Sequence, residues 1–598
     1  MAGRQLPGKP NVIFVLTDDQ GYGDLGCTGN PIIQTPHIDA FSRVSTRFTN
    51  FHVGTTCAPT RAGLMTGHHA NSTGVWHTLG GRSLLRRDER TLPEVLKEHG
   101  YRTAIFGKWH LGDTYPYRPQ DRGFETSVVH GGGGIGQTPD FWGNDYIDDV
   151  YLVDGRPQRF QGHCTDVWFR LALEYIEQNR ESERPFFCYI ATNAPHEPFV
   201  VEDKYADLYR GRVPERRARF YGMITQIDTN FGLLRAKLAE WGLAENTILI
   251  FMTDNGTSAG AKVDGDGFVV DGFNAGMRGK KCSPYDGGHR VPFFLHWPGG
   301  GLDHGREVPE LTSYVDFMPT ILELCGLSAA AGEEGENGEH LSHHFHGRSL
   351  VPLLYGEGTK AFSDRILITD TQRLVNPVKG KDAAVMTRRW RLVRHSELYD
   401  ILVDPEQRHN VADRYPEVVR ELQAEYEKWW ELVSARFAEE IPFVLKPGEE
   451  TCLTCHDWRV NMESCPYHQG LIRRGLLVGG YWEVLVAEAG WYRVELRRWP
   501  RETGLPMRSG IEGSDVEFAA SCVPVENHDY YTGGKALAVE KVKLKVGDTE
   551  YEQVVGESDA AAVFQIYLDE GPVHMQGRLT NQDGLDLGAY YAYIRSLA

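Results

Sequence analysis

Cysteine is scarce in this chain, with ten in 598 residues. That density excludes a small disulfide-stapled scaffold. Seven are scattered, at Cys27, Cys57, Cys164, Cys188, Cys282, Cys325 and Cys522, and three cluster between 452 and 465. Positive charge is also short. Against 82 Asp and Glu stand 63 Lys and Arg, a formal charge of -19. A nucleic-acid partner needs a basic face, so this balance predicts none. An anionic ligand would have to be caught by local cations, against the global field. No apolar run is long enough to cross a bilayer, which predicts no membrane partner. No secretory apolar segment precedes "NVIFVL" at Asn11, which predicts a cytoplasmic protein or a mature periplasmic or secreted form.

What is present is ordinary globular material, 41% hydrophobic and 24% charged. The length predicts two or three domains. In the first half, apolar runs alternate with amphipathic stretches, the signature of an α/β fold with a parallel or mixed sheet. "NVIFVL", "RTAIFG", "FFCYIAT", "TILIFMT" and "VPFFLHWP" read as buried strands. "TLPEVLKEHG", "DVWFRLALEYIEQNR", "RARFYGMITQIDTNFGLLRAKLAEWG" and "VDFMPTILELCG" read as helices, the first with Thr91 as N-cap. The polar stretch at 329–344 reads as a solvated loop. "RILITD", "AAVMTRRWRLVRH" and "ELYDI" predict a small antiparallel sheet, followed by a long helix from "YPEVV". After about residue 441 the period becomes two. "GYWEVLVAEAGWYRVELRRWP" alternates around a turn at 488–490, and "KVKLKV" and "AVFQIYL" continue, which predicts an all-β sandwich.

Chemistry collects where the strands end. Asp18 and Asp19 follow the first apolar run, Asp254 and Asn255 follow "TILIFMT", Lys108 and His110 close "RTAIFGKWH", and His196 follows "FFCYIATNAP". In open α/β sheets the ligand crevice lies at such carboxyl ends. Asp and Asn offer oxygen ligands alone, which suits Ca²⁺, or Mg²⁺ in its place, rather than zinc. An Asp after a strand is also an ordinary turn former, but the near-copies "TDD" and "TDN" favour metal. Lys108 and His110, two apart on an extended segment, should face one side. In "TTCAPTRAGLMTG", Pro59 suits a first helical turn, so Cys57 falls at a helix N-terminus with Arg61 in reach. A thiolate nucleophile would fit there, yet a soft thiolate matches a hard cation poorly.

These blocks resemble the sulfatase family. "CAPTRAGLMTG" is similar to its Cys-x-Pro-Ser/Thr-Arg signature, and "NVIFVLTDDQGYGDLGCTGN", "GYRTAIFGKWHLG", "APHEPF", "FMTDNG" and "KKCSPYDGGHRVPFFLHWPG" follow in the family's order. The resemblance covers about residues 10 to 440. It implies an alkaline-phosphatase-like α/β fold with a mixed sheet flanked by helices, and arylsulfatase-type hydrolysis of a sulfate ester. With the period-two region outside it, the chain divides into a catalytic domain at 1–360, an α+β subdomain at 361–440 and an all-β accessory domain at 441–598. It implies that Cys57 is oxidised to formylglycine by a formylglycine-generating enzyme and hydrated to a diol, whose second hydroxyl releases sulfate. Asp18, Asp19, Asp254 and Asn255 would hold Ca²⁺, with position 57 as a further ligand. Arg61 would hold the diol, Lys108, His196 and Lys281 the sulfate, and His110 would act as base. Lys281 is chosen over Lys280 because it stands five residues before Asp286, where the family usually has Glu. The Gly-rich "HGGGGIGQ" has no serine to match one the family often uses.

Three readings of function follow: hydrolysis of an aryl or carbohydrate sulfate, hydrolysis of a phosphonate monoester or phosphodiester on the same frame, and non-catalytic sulfoglycan binding with Cys57 unconverted. The sequence is compatible with an oligomer. "CLTCHDWRVNMESCPYH" fits a zinc clip of Cys452, Cys455, Cys465 and His468, a c-type haem attachment site, or plain cysteines. Trp482, Trp491 and Trp499 fit a glycan-binding face or ordinary packing.

Overall fold

The computed structural model describes residues 8–327, 345–358, 360–460, 465–514 and 531–597. The polar stretch at 329–344 and Cys522 lie outside them.

The first seven-residue apolar run forms β1, Asn11–Thr17. It is followed by β2 (Thr46–His52), β3 (Arg102–Lys108), β4 (Thr126–His130), β5 (Val150–Val153), β6 (Arg156–Arg159), β7 (Phe186–Ala191) and β8 (Thr247–Thr253). With strand Arg290–His296 and two short edge pieces they make an eleven-stranded sheet. β1 lies centrally, parallel to β7 and β8, with β3 parallel to β7. Arg290–His296 runs antiparallel to both β8 and β2, so the sheet is mixed.

Continuous apolar strands are buried on both faces, and this sheet shows why. Val12, Phe14 and Leu16 pack into one core with helices Leu92–Glu98 and Phe317–Leu324. Ile13 and Val15 pack into the opposite core with helices Cys164–Asn179 and Glu215–Glu240. This is the alkaline-phosphatase-like α/β architecture.

Residues Leu367–Asp370, Ala383–Met386, Trp390–Val393 and Glu397–Asp400 form a four-stranded antiparallel sheet covered by helix Pro416–Ser434. A buried ion pair, Arg391 to Asp286 at 2.8 Å, ties this sheet to the short helix Asp286–His289 that leads into Arg290–His296.

From residue 443 onward the chain builds a six-stranded and a four-stranded sheet that share one core. The turn at 488–490 does not close a hairpin. Trp482–Val486 enters the six-stranded sheet and Gly490–Arg497 the four-stranded one. A strand with one apolar face shows the same period of two in either arrangement, because both inner faces of a sandwich are buried. Tyr492, Val494 and Leu496 face that core. So does Trp482, and Trp499 lies there too, fully buried. Trp491 is 56% exposed, beside Tyr567.

Cys452, Cys455 and Cys465 carry free thiols. Cys455 Sγ donates to Pro466 O at 3.2 Å, and His468 Nδ1 accepts from Gly470 N at 3.1 Å, capping a short helix. Among the described residues, these side chains do not bring three metal-ligating atoms together.

Candidate active site

Parallel strands β1 and β8 end side by side, with Thr17 opposite Thr253. The residues that follow therefore meet. Asp19 N donates to Asp254 Oδ1 at 3.0 Å, and Asn255 Nδ2 donates to Asp19 Oδ1 at 2.9 Å. Asp19 adopts a left-handed backbone, φ 65°. Asp18, Asp19, Asp254 and Asn255 are all fully or almost fully buried.

Cys57 opens helix Cys57–Thr66 and is 2% exposed. Ligand atoms of Asp18, Asp19 and Cys57 lie within 4.8 Å of one another. Burial pushes the Cys57 thiol up to about 12, against the pull of Lys108 and Lys281. A free thiolate is therefore disfavoured even at a helix N-terminus. Arg61, one turn on, donates to Asp254 Oδ2 at 2.8 Å and to Lys108 O at 3.1 Å.

Lys108 Nζ, at the end of β3, donates to Asp18 Oδ2 at 2.6 Å. Lys281 Nζ lies 2.6 Å from the Asp19 carboxylate. His196 Nε2 is 3.6 Å from Asp19 Oδ2, and its Nδ1 lies 2.7 Å from Glu197 O. Burial alone would raise Asp19, yet Lys281 and His196 hold its carboxyl below the usual range. Asp254, buried beside Asp18, is pushed up to about 7. Lys281 loses from burial but gains more from Asp19, so it stays charged.

His110 reaches the same place by a different route from the one its spacing predicts. The chain leaves the extended conformation there, φ 62°, so strand alternation does not place the ring. Its Nε2 lies 3.1 Å from Thr78 O, and its Nδ1 is buried with no partner. Burial and Lys108 hold it neutral. Gly133 makes room for this ring, since a Cβ there would stand 2.3 Å from it.

These side chains surround a cavity of about 330 Å³ lined by Asp19, Cys57, His110, His196 and Lys281. Sequence reasoning missed others on its wall. Gln137 comes from the glycine-rich loop, whose run of glycines was the available signal. Arg373 and Tyr467 come from far along the chain and carry no local signal. Tyr467 arrives because segment 465–469 docks on that loop, with Thr138 N donating to Tyr467 O at 2.9 Å and Gln469 N to Gly136 O at 3.1 Å.

Cations to hold oxygens and carboxylates to carry protons suit hydrolysis of a tetrahedral oxyanion ester. Comparison with known proteins narrows that class. The sulfatase family's sequence model matches residues 10–327, and that of the N-sulphoglucosamine sulphohydrolase C-terminal region matches 279–431. The chain belongs to the sulfatase family and is a sulfuric ester hydrolase. It is 30% identical to arylsulfatase G of Mus musculus over 60% of this chain and 71% of that protein. It is 28% identical to N-acetylgalactosamine-6-O-sulfatase of Bacteroides thetaiotaomicron over 69% of this chain and 92% of that one. Among solved structures, Ps i-CgsB in complex with k-i-k-neocarrahexaose superposes with a TM-score of 0.61 at 26% identity, covering 71% of this chain and 98% of that one.

Proposed function

We propose that this chain cleaves a sulfate monoester of an aryl or carbohydrate alcohol, using a formylglycine made from Cys57 and a bound Ca²⁺, with Mg²⁺ as the alternative ion. The observation that carries the reading is the oxygen cage around position 57. Asp18 Oδ1 and Asn255 Oδ1 are buried with no hydrogen-bond partner, beside the carboxylates of Asp19 and Asp254. Orphaned buried oxygens of this kind are costly unless something positive meets them. Oxygen donors alone fit a hard cation. Asp18, Asp19, Asp254 and Asn255 would hold it, together with position 57.

When present, the cation offsets negative charge on the sulfate and the formylglycine diol supplies the attacking oxygen. The chain's own groups do the rest. Arg61, pinned by Asp254 and the Lys108 carbonyl, orients position 57. Lys108 and Lys281 turn from their carboxylate partners toward the sulfate oxygens and stabilise them as charge builds. Asp254, held beside Arg61 at 2.8 Å, would accept the diol proton. With Nδ1–H donated to the Glu197 carbonyl, His196 presents Nε2 beside Asp19, and only its imidazolium form, favoured by that carboxylate, would give an Nε2 proton to the leaving alcohol. His110 keeps a bare Nδ1 and serves as base when sulfate departs. Names of the relatives support a sulfated glycan as natural substrate. A formylglycine-generating enzyme would be the maturation partner.

Protein co-expressed with such an enzyme should show the Cys57 peptide as aldehyde by mass spectrometry and hydrolyse p-nitrophenyl sulfate. Cys57→Ala should lose at least about 10³-fold in kcat. Full turnover by that variant, or faster turnover of a phosphonate monoester or phosphodiester with the same aryl group, would reject the reading.

A further inference from the structure

The cations of this site fall into two tiers. In the inner tier Lys108, Lys281 and Arg61 are each tied to a carboxylate, Asp18, Asp19 or Asp254. Three cations thus face three carboxylates. In the outer tier, at the cavity mouth, stand Lys280, Arg216 and Arg373. One carboxylate lines the mouth beside them, Glu197, and it pairs with Arg216 at 3.2 Å.

Lys280 and Arg373 therefore hold unmatched charge. Among the described residues, no carboxylate lies within salt-bridge distance of Lys280 Nζ or of the Arg373 guanidinium. Lys280 is half-buried, and burial together with Arg216 lowers its affinity for its proton. Arg373 Nη1 lies 2.8 Å from Cys282 Sγ, on the opposite chain segment of the mouth. Both Arg373 (φ 41°) and Cys282 (φ 70°) hold left-handed backbones that cost energy in non-glycine residues. Tyr467, from the sandwich region, lies close enough to Arg373 to interact with its charge and completes the wall. Gathering like charges here, on a chain of net charge -19, is unfavourable unless an anion is drawn in.

We propose that the alcohol released by this enzyme carries a second anionic group, a carboxylate or another sulfate, and that Lys280 and Arg373 bind it. The proposal rests on the sulfatase reading above. The scissile sulfate enters the inner tier, and the second oxyanion stays at the mouth between the two cations. Charge-assisted hydrogen bonds to both give the specificity.

The test uses matured full-length enzyme and matched substrates. One pair is a hexosamine monosulfate against the corresponding disulfate, and the other a sulfated hexose against the corresponding sulfated uronic acid. p-Nitrophenyl sulfate is the reference without a second anion. Wild-type kcat/KM should favour the dianionic member of at least one pair by about tenfold or more. The arm that shows it identifies the oxyanion. In K280Q/R373Q that preference should fall below about twofold, with p-nitrophenyl sulfate turnover within about twofold of wild type. No preference in the wild type, a preference that survives in the variant, or an equal loss on all substrates would overturn the subsite and leave the sulfatase reading intact. Converted Cys57 with no sulfate release from any substrate would overturn both.

Discussion

Buried carboxylates in this chain behave according to what stands beside them. Asp286 is enclosed, yet Arg391 at 2.8 Å holds its carboxyl below the usual range. Asp370 has amides for neighbours instead. Its Oδ2 accepts from Gln372 Nε2 at 2.8 Å and Asn71 Nδ2 at 2.9 Å, and burial still pushes it up to about 6 from 3.8. The folded state thus keeps a proton that the unfolded chain has lost between about pH 4 and 6. Stability attributable to this group is complete below that window and declines as pH rises through it. Asp370→Asn retains an acceptor oxygen and carries no charge. It should flatten this part of the profile of Tm against pH and raise Tm at neutral pH, as differential scanning fluorimetry across pH 4–7 would show.

Elements differ in how locally they are encoded. Helix Leu92–Glu98 carries its own start signal. Thr91 Oγ1 accepts from Glu94 N at 3.4 Å and Glu94 Oε2 accepts from Thr91 N at 2.7 Å, a reciprocal cap. The same hydroxyl donates to Arg122 O at 2.9 Å. Thr91→Ala should cost about 1–2 kcal/mol, read as a lower midpoint in urea with an unchanged slope. The five long apolar strands were equally legible, since a run buried on both faces needs no partner to announce it. Strands with one apolar face were legible as strands, but their sheet membership was not, as the turn at 488–490 shows.

At the scale of the molecule, the sandwich region helps to build the candidate pocket. Gly80 N donates to His456 O at 2.8 Å, next to the loop that bears Thr78, the partner of His110. Arg459 anchors this contact. Its guanidinium is 5% exposed, donates to Glu483 at 2.9 and 2.6 Å, and reaches the Gly80 carbonyl. Arg459→Met leaves Glu483 buried without its cation and should cost about 3–5 kcal/mol by denaturant unfolding. Adding Glu483→Met should recover most of that loss, because the double variant removes both charges of the pair.

The sequence alone determined the central strands, the main helices and the acidic, amide and basic residues at the strand ends. Each of these is written in a few consecutive residues, as an apolar run followed by polar groups. Tertiary structure alone decided the rest: the left-handed backbone that turns His110 inward, the sheet each late strand joins, and the arrival of Arg373 and Tyr467 at the cavity mouth. Those features depend on contacts between segments hundreds of residues apart, where packing and burial set position and local pattern carries no record of the neighbour.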